Sequence, residues 1–154
     1  MKRDSCTGDV ITPPAEEQAY PSVLSDEGAA LLKMYPKETV IAEKVHAMIS
    51  LDLPNSRMKD FFDVFILIRD FSQEIDPVLL SEALARTFEH RKMTMPQEFV
   101  RVWTKYFYGD SNKQKQWTAF VKKNRILNKP TLEEVCASIG EYINPLFMNL
   151  SEGK

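Results

Sequence analysis

The sequence predicts a mainly α-helical protein, a bundle of about six helices that follows a short extended or β segment. Apolar residues recur at helical spacing in successive stretches from residue 39 to the end of the chain. Turn-forming pairs such as Pro54 and Asn55 separate these stretches. By contrast, residues 1 to 36 hold four of the nine prolines and only a short extended stretch, "DVIT". We therefore expect strand and loop over residues 1–36 and a helical domain over residues 37–154.

Start and stop signals place the first three helices. The first runs from about Thr39 to the turn "LDLPN", and the second runs from about Ser56, a candidate N-cap, to Phe71. The third begins at Asp76 and Pro77, because aspartate caps helix N-termini and proline suits the first helical position. Its apolar residues at 80, 84 and 88 predict a single buried face.

Two shorter helices and a long one complete the predicted bundle. The stretches "MPQEFVRVWTKYF" and "SNKQKQWTAFVKKN" give the shorter helices, divided by "YGDS". In the first of them, helical spacing predicts a packing stripe of Phe99, Val102, Trp103, Tyr106 and Phe107. The last helix starts after Pro130 and Thr131. Its apolar stripe consists of Leu132, Val135, Cys136, Ile139, Ile143 and Leu146.

Composition is that of an ordinary globular domain. The chain has 154 residues, of which 44% are hydrophobic and 27% charged, and its net charge is −2. Such a balance gives no overall field that would attract nucleic acid or membranes. No apolar run approaches the roughly 18 residues of a membrane span. The two cysteines lie at opposite ends of the sequence, which favours a reduced, cytoplasmic protein over one with a disulfide framework. The two isolated histidines make a zinc site improbable.

Lys44 is the first residue that does not fit a simple core. On a helical wheel of about 100° per residue, it falls at the centre of the apolar face of the first helix. An unpaired ammonium group in that position would be costly to desolvate. Either the side chain extends along the core surface with its head in water, or an acidic group meets it. His46 falls on the opposite, polar face, and we expect it to be a surface residue.

The second helix offers acidic partners for Lys44. Lys59, Asp60 and Asp63 lie on its one polar stripe, while the rest of the helix is apolar. Acidic residues in a first helical turn also complement the helix dipole, so a purely structural role is the alternative. If the two helices are antiparallel neighbours, these groups can converge on one pocket. Lysines acting as point charges, with the aspartates orienting them or a metal ion, would suit a phosphate-bearing ligand.

A family resemblance becomes visible at these positions. The stretch "YPKETVIAEKVHAMISLDLPNSRMKDFFDVFIL" closely resembles the C-terminal signature of the AbiEii/AbiGii family of nucleotidyltransferase toxins. The matching positions are Glu43, Lys44, Ala47, Arg57, Lys59, Asp60 and Asp63. "GDVITPPAEEQAYPSVL" and "QWTAFVKKNRI" resemble the segments that precede and follow this signature in the family.

The resemblance implies a polymerase-β-like nucleotidyltransferase fold followed by helices, of which this chain would be the C-terminal half. Family members transfer a nucleotide from an NTP with Mg²⁺, as toxins of toxin–antitoxin or abortive-infection systems, and some modify tRNA. Their metal-binding carboxylates come mainly from a Gly-Ser and an Asp-x-Asp motif, and this chain contains neither. Asp4, spaced before Gly8 and Asp9 like a later family aspartate, is the remaining candidate metal ligand. Its segment "SCT" differs from the family, so a solvated residue is the alternative.

Two functional hypotheses follow from the resemblance. In the first, the chain is a truncated or degenerate toxin half, inactive alone, whose catalytic residues are Lys44, Lys59, Asp60 and Asp63. Nucleotide contacts would come from Lys44, Arg57 and Lys59, and the missing motifs from the upstream half of a split toxin. In the second, the chain is a non-catalytic helical module that binds an antitoxin or an upstream polypeptide.

The predicted fifth helix is a candidate RNA-binding surface. Its basic residues lie among Trp117 and Phe120, and no acidic residue occurs from 111 to 129. The cations proposed for tRNA or other RNA are Lys113, Lys115, Lys122, Lys123 and Arg125. Basic and aromatic residues together can follow a nucleic-acid backbone and stack on bases. The alternative is that the aromatic residues pack in the core and the lysines are solvated.

Overall fold

The computed structural model describes residues 35 to 152. The α-helices are α1 (Lys37–Leu51), α2 (Met58–Phe71), α3 (Pro77–His90), α4 (Lys105–Tyr108), α5 (Ser111–Lys123) and α6 (Leu132–Glu152). Short 3₁₀ turns lie at Ser72–Glu74 and Arg101–Trp103. Across residues 35 to 152 there is no strand, so the prediction of a mainly α bundle of about six helices is confirmed. The predicted extended segment, Asp4 and most of the proposed 1–36 domain lie outside the described residues.

Helix α2 is the centre of the bundle. Its sequence is apolar nearly all round, and Phe61, Phe62 and Ile66 are among its fully buried side chains. It contacts α1, α5 and α6. The ring of Phe61 stacks on Phe107 of α4 with centroids 5.0 Å apart. Because α2 is enclosed on most sides, its few polar residues must either be paired or face a gap between helices.

Helix α1 lies against α2 and α3, and α6 also packs on α2 and α3. The predicted α6 stripe is confirmed, since its first five members are buried and Leu146 is partly buried. The helix is preceded by a capping box that the sequence prediction did not include. Thr131 Oγ1 accepts from the Glu134 amide at 3.0 Å, and Glu134 Oε1 accepts from the Thr131 amide at 2.7 Å. None of the helices between residues 35 and 152 is long and apolar enough to cross a bilayer.

Two local predictions were wrong. Ser56 does not cap α2, because the helix starts at Met58 with Arg57 at the N-cap position and no side-chain capping hydrogen bond. The packing stripe of the fourth predicted helix is incomplete, since Phe99 is 74% exposed and Tyr106 is also exposed. This stretch forms a 3₁₀ turn and a single helical turn rather than one helix. Side chains spaced for a continuous helix therefore do not all face the core.

The predicted start of α3 is confirmed, and it gives a simple stability test. Asp76 Oδ1 accepts from the amides of Val78 and Leu79 at 2.9 and 3.4 Å, and Pro77 follows at the first helical position. We expect Asp76→Ala to lower the free energy of unfolding by about 1 kcal/mol, because two amides lose their acceptor. Urea denaturation measures this change. Asp76→Ser, which keeps a capping oxygen, should be nearly neutral; equal losses in both variants would contradict the capping role.

Candidate functional site

A groove of about 560 Å³ runs along α1. Its walls come from α1, from the turn before α2 and from the residue that follows α3. The lining residues are Tyr35, Thr39, Val40, Glu43, Lys44, His46, Ala47, Ser50, Leu51, Arg57 and Arg91. Three of them are lysine or arginine and one is acidic. The volume lies within the range of small-molecule sites.

Lys44 is paired behind the groove with both acidic residues of α2. Its Nζ lies 2.9 Å from Asp60 Oδ1 and 3.2 Å from Asp63 Oδ2. The lysine side chain is 17% exposed, whereas both carboxylates are buried. Of the two alternatives for Lys44, the one with acidic partners is therefore confirmed, and its ammonium group does not extend into bulk water. The three groups converge between α1 and α2, as the polar stripe of α2 predicted.

Arg57 brings a second cation to the same carboxylate pair. Its Nε lies 2.9 Å from Asp60 Oδ2, while its side chain is 59% exposed and lines the groove. The contact has the distance of an ion pair but not the alignment of a hydrogen bond, so Oδ2 has no hydrogen-bond partner among the described residues. Asp60 thus faces Lys44 with one oxygen and Arg57 with the other. Two cations that line the groove are held from behind by one buried carboxylate.

Asp63 has an unusual protonation equilibrium. Burial raises its pKa from 3.8 to about 6, because attraction to Lys44 only partly offsets the lost hydration and Asp60 repels its charge. Its Oδ1 is buried and has no hydrogen-bond partner within residues 35 to 152. Burial lowers the pKa of Lys44, but two carboxylates outweigh that effect and the net change is upward. Lys44 is therefore charged at neutral pH, while Asp63 changes protonation near pH 6.

His46 is buried, so its prediction as a surface residue was wrong. Its ring meets Phe88 of α3 edge-on, with centroids 5.1 Å apart. Burial lowers its pKa, and nearby Arg91 lowers it further. Arg91 follows α3 and its Nη2 lies 2.7 Å from Glu43 Oε1 across the groove. The packing of α3 on α1 covers the face that a wheel of α1 alone assigns to solvent.

Lys59 and the predicted metal site are not part of this cluster. Lys59 is exposed and is not among the lining residues, although its charge lowers the pKa of Asp63. Among the described residues no group of three His, Cys, Asp or Glu side chains could hold a metal ion. Asp60 and Asp63 face Lys44 and Arg57 instead, so this cluster does not fit Mg²⁺. Asp4 lies outside the described residues.

The predicted RNA-contact residues, which lie on α5 and just after it, fall into an exposed group and a buried lysine. Lys115, Lys122, Lys123 and Arg125 are exposed. Lys113 is only 4% exposed, so its prediction as a solvated or RNA-contacting residue was wrong. Its Nζ donates to the backbone oxygen of Asn55 at 2.6 Å, a partner 58 positions away in the sequence. The aromatic residues of α5 pack inward as the alternative proposed, with Trp117 buried and Phe120 partly buried.

The described part of the chain is a helical bundle with a groove that Lys44 and Arg57 line, and buried carboxylates contact both cations. The chain matches the family model described as "Nucleotidyl transferase AbiEii toxin, Type IV TA system" over residues 2–138. That span is most of the chain and includes every residue of the Lys44 cluster. The chain therefore belongs to the AbiEii family of nucleotidyltransferase toxins. Neither the comparison with curated proteins nor that with solved structures gives a match.

Proposed function

We propose that this chain provides the nucleotide-facing helical part of an AbiEii nucleotidyltransferase, with the groove along α1 holding the phosphates of an NTP. One observation carries the proposal: Lys44 and Arg57 line the groove while Asp60 and Asp63 hold them from behind. Family membership supplies the type of ligand. Lys44 would act as a point charge on a phosphate, and the planar guanidinium of Arg57 as a directional donor.

The buried carboxylates explain how such a site would favour binding. A free lysine or arginine side chain loses rotational freedom when it binds a ligand. Here the contacts to Asp60 and Asp63 already fix both cations in the free protein. Pre-organised charges also stabilise charge that develops on the phosphates during nucleotidyl transfer, since they need no reorganisation during the reaction. In this proposal Asp60 and Asp63 act by orienting the cations, and Lys59 adds charge at the edge of the cluster.

We propose that nucleotide transfer needs residues other than those that the structure describes. Nucleotidyltransferases use carboxylate-bound metal ions, which supply Lewis-acid activation of the phosphate and the attacking hydroxyl. The sequence has no Gly-Ser and no Asp-x-Asp motif, and the Lys44 cluster does not fit a metal. We propose that a second polypeptide, such as the upstream half of a split toxin, contributes the metal site. The purified chain with Mg²⁺ and labelled NTP is then expected to transfer no nucleotide, and transfer by it would contradict this part.

Phosphate binding is testable with a minimal probe. We expect inorganic tripolyphosphate to bind the chain and Arg57→Ala to weaken that binding by about tenfold, because one charge-assisted contact is lost. Isothermal titration calorimetry at low ionic strength measures the affinity. Arg69→Ala is the matched control, since Arg69 is an exposed arginine of the same helix outside the groove lining. Equal weakening in both variants would indicate general charge attraction and contradict a specific site.

A non-catalytic interaction module is the second candidate function. Exposed apolar side chains favour it, notably Val78 and Leu79 on the first turn of α3 and Leu127 after α5. Type IV toxin–antitoxin systems include an antitoxin, so the antitoxin would be the partner of these exposed side chains. No tripolyphosphate binding by the wild-type chain, together with binding of the antitoxin, would favour this function over the first.

RNA binding by α5 stays a separate proposal. It now rests on the exposed residues Lys115, Lys122, Lys123 and Arg125, without Lys113. These cations could contact phosphates of an acceptor RNA, while the buried Trp117 is not available for stacking on bases. An RNA interaction of this kind would be mainly electrostatic and strongly salt-dependent.

A further inference from the structure

A buried lysine on α5 is the one cation of that helix whose role the proposed function leaves unexplained. Lys113 Nζ donates to the Asn55 carbonyl oxygen at 2.6 Å and to Gln116 Oε1 at 3.0 Å. It also lies 5.5 Å from the ring centroid of Phe107. Burial lowers its pKa. An apolar side chain would fill this position without the desolvation penalty of an ammonium group. A lysine here is therefore costly unless its contact to Asn55 has a role.

Asn55 links Lys113 to the groove. This residue is buried in the turn between α1 and α2, and its side-chain oxygen accepts from the Arg57 amide at 2.7 Å. Arg57 occupies the N-cap position of α2 and provides no side-chain cap. The Asn55 side chain thus supports the start of α2 together with local backbone hydrogen bonds, and Lys113 adds a tertiary contact to Asn55 beside the bond from its own amide to the Asp52 carbonyl.

We propose that Lys113 is a positioning residue for the phosphate site: it fixes Asn55, and Asn55 fixes the backbone from which Arg57 enters the groove. The inference rests on the proposed function for the identity of the ligand, but the connection from Lys113 to Arg57 consists of described contacts alone. Each step is a short hydrogen bond, and the final step is the ion pair of Arg57 with Asp60 at 2.9 Å. Loss of the first contact frees the turn, and the Arg57 guanidinium then loses its fixed direction.

The proposal predicts that Lys113 affects ligand affinity although it does not touch the groove. Lys113→Met keeps the length of the side chain and removes its donors. We expect it to weaken tripolyphosphate binding by about tenfold, similar to the loss of one charge-assisted contact. Lys105→Met is the matched control, because Lys105 is an exposed lysine of α4 that lies outside every proposed binding surface. Equal affinities of both variants and the wild type would overturn the proposal.

Amide hydrogen exchange separates a positioning role from general destabilisation. In Lys113→Met the Arg57 amide should exchange about tenfold faster, while core amides of α6, such as that of Ile139, should keep their wild-type rates. Uniform acceleration of both would show a merely structural role and overturn the proposal. This measurement needs no ligand. If the wild-type chain binds no tripolyphosphate, the proposed function fails. The link from Lys113 to Arg57 is tested independently, because an unchanged exchange rate of the Arg57 amide in Lys113→Met would reject it.

A double-mutant cycle completes the test. In the Arg57→Ala background, Lys113→Met should have no further effect on affinity, since its action passes through Arg57. Additive losses would overturn the proposal. If Lys113→Met does not fold, Asn55→Ala takes its place in the cycle. That change keeps the Asn55 backbone carbonyl, which accepts from Lys113, and removes the side-chain oxygen, which accepts from the Arg57 amide. Wild-type affinity of folded Asn55→Ala would equally reject the link.

Discussion

Replacing Lys44 with methionine is expected to lower the free energy of unfolding at pH 7 by about 3–5 kcal/mol. Methionine keeps most of the volume, so the main change is the loss of the ammonium group between two buried carboxylates. Asp60 would keep only the exposed Arg57 as a partner, and Asp63 would lose its one ion pair in the described part of the chain. Breaking one side of a buried pair leaves the other charge desolvated and uncompensated. A loss of this size is a large share of the stability of a typical domain.

Urea denaturation of the wild type and the variant measures the effect, and its pH dependence identifies the cause. The deficit of Lys44→Met should shrink as the pH falls below about 6, because protonation of Asp63 removes one of the charges that the lysine neutralised. Lys59→Met is the matched control, since Lys59 is an exposed lysine next to the same carboxylates. A Lys44→Met loss below about 1 kcal/mol, no larger than that of the control, would mean that the pairing contributes little to stability.

The sequence was sufficient to predict this cluster because its geometry is local to two helices. Helical periodicity places Lys44 on the inner face of α1, and the spacing of three residues places Asp60 and Asp63 on one side of α2. A tight turn then brings the two helices together. Each of these steps depends on neighbouring residues, so a wheel and a turn signal contain the necessary information.

Features that depend on distant packing could not be predicted in the same way. The burial of Lys113 requires contact with a turn 58 positions earlier in the chain. His46 is buried by Phe88, and Arg91 reaches the groove only because α3 packs on α1. No periodicity within one helix identifies such partners. The sequence also did not identify Arg57 as the N-cap of α2, because arginine has no side-chain acceptor that would mark a helix start, whereas the neighbouring Ser56 has one.

The protonation of Asp63 leads to the second large expected effect, on stability as a function of pH. The folded-state pKa is about 6, above the ordinary value of 3.8, so between these values the folded chain binds more protons than the unfolded chain. The stabilising contribution of this group is therefore fully present below about pH 3.8 and lost as the pH rises through 6. Its upper limit is about 3 kcal/mol, since each pKa unit corresponds to about 1.4 kcal/mol.

Asp63→Asn isolates this contribution, because asparagine has nearly the same shape and does not titrate. We expect the free energy of unfolding of the wild type, relative to Asp63→Asn, to fall between pH 4 and pH 7.5, as measured by urea denaturation at each pH. The comparison removes the opposite effect of His46, whose lowered pKa makes the protein more stable as the pH rises. Glu82→Gln, at an exposed carboxylate of α3, is the control, and its difference from the wild type is the baseline for the comparison. A flat difference for Asp63→Asn relative to that baseline would show that the carboxylate stays ionised throughout, with Lys44 fully compensating its burial.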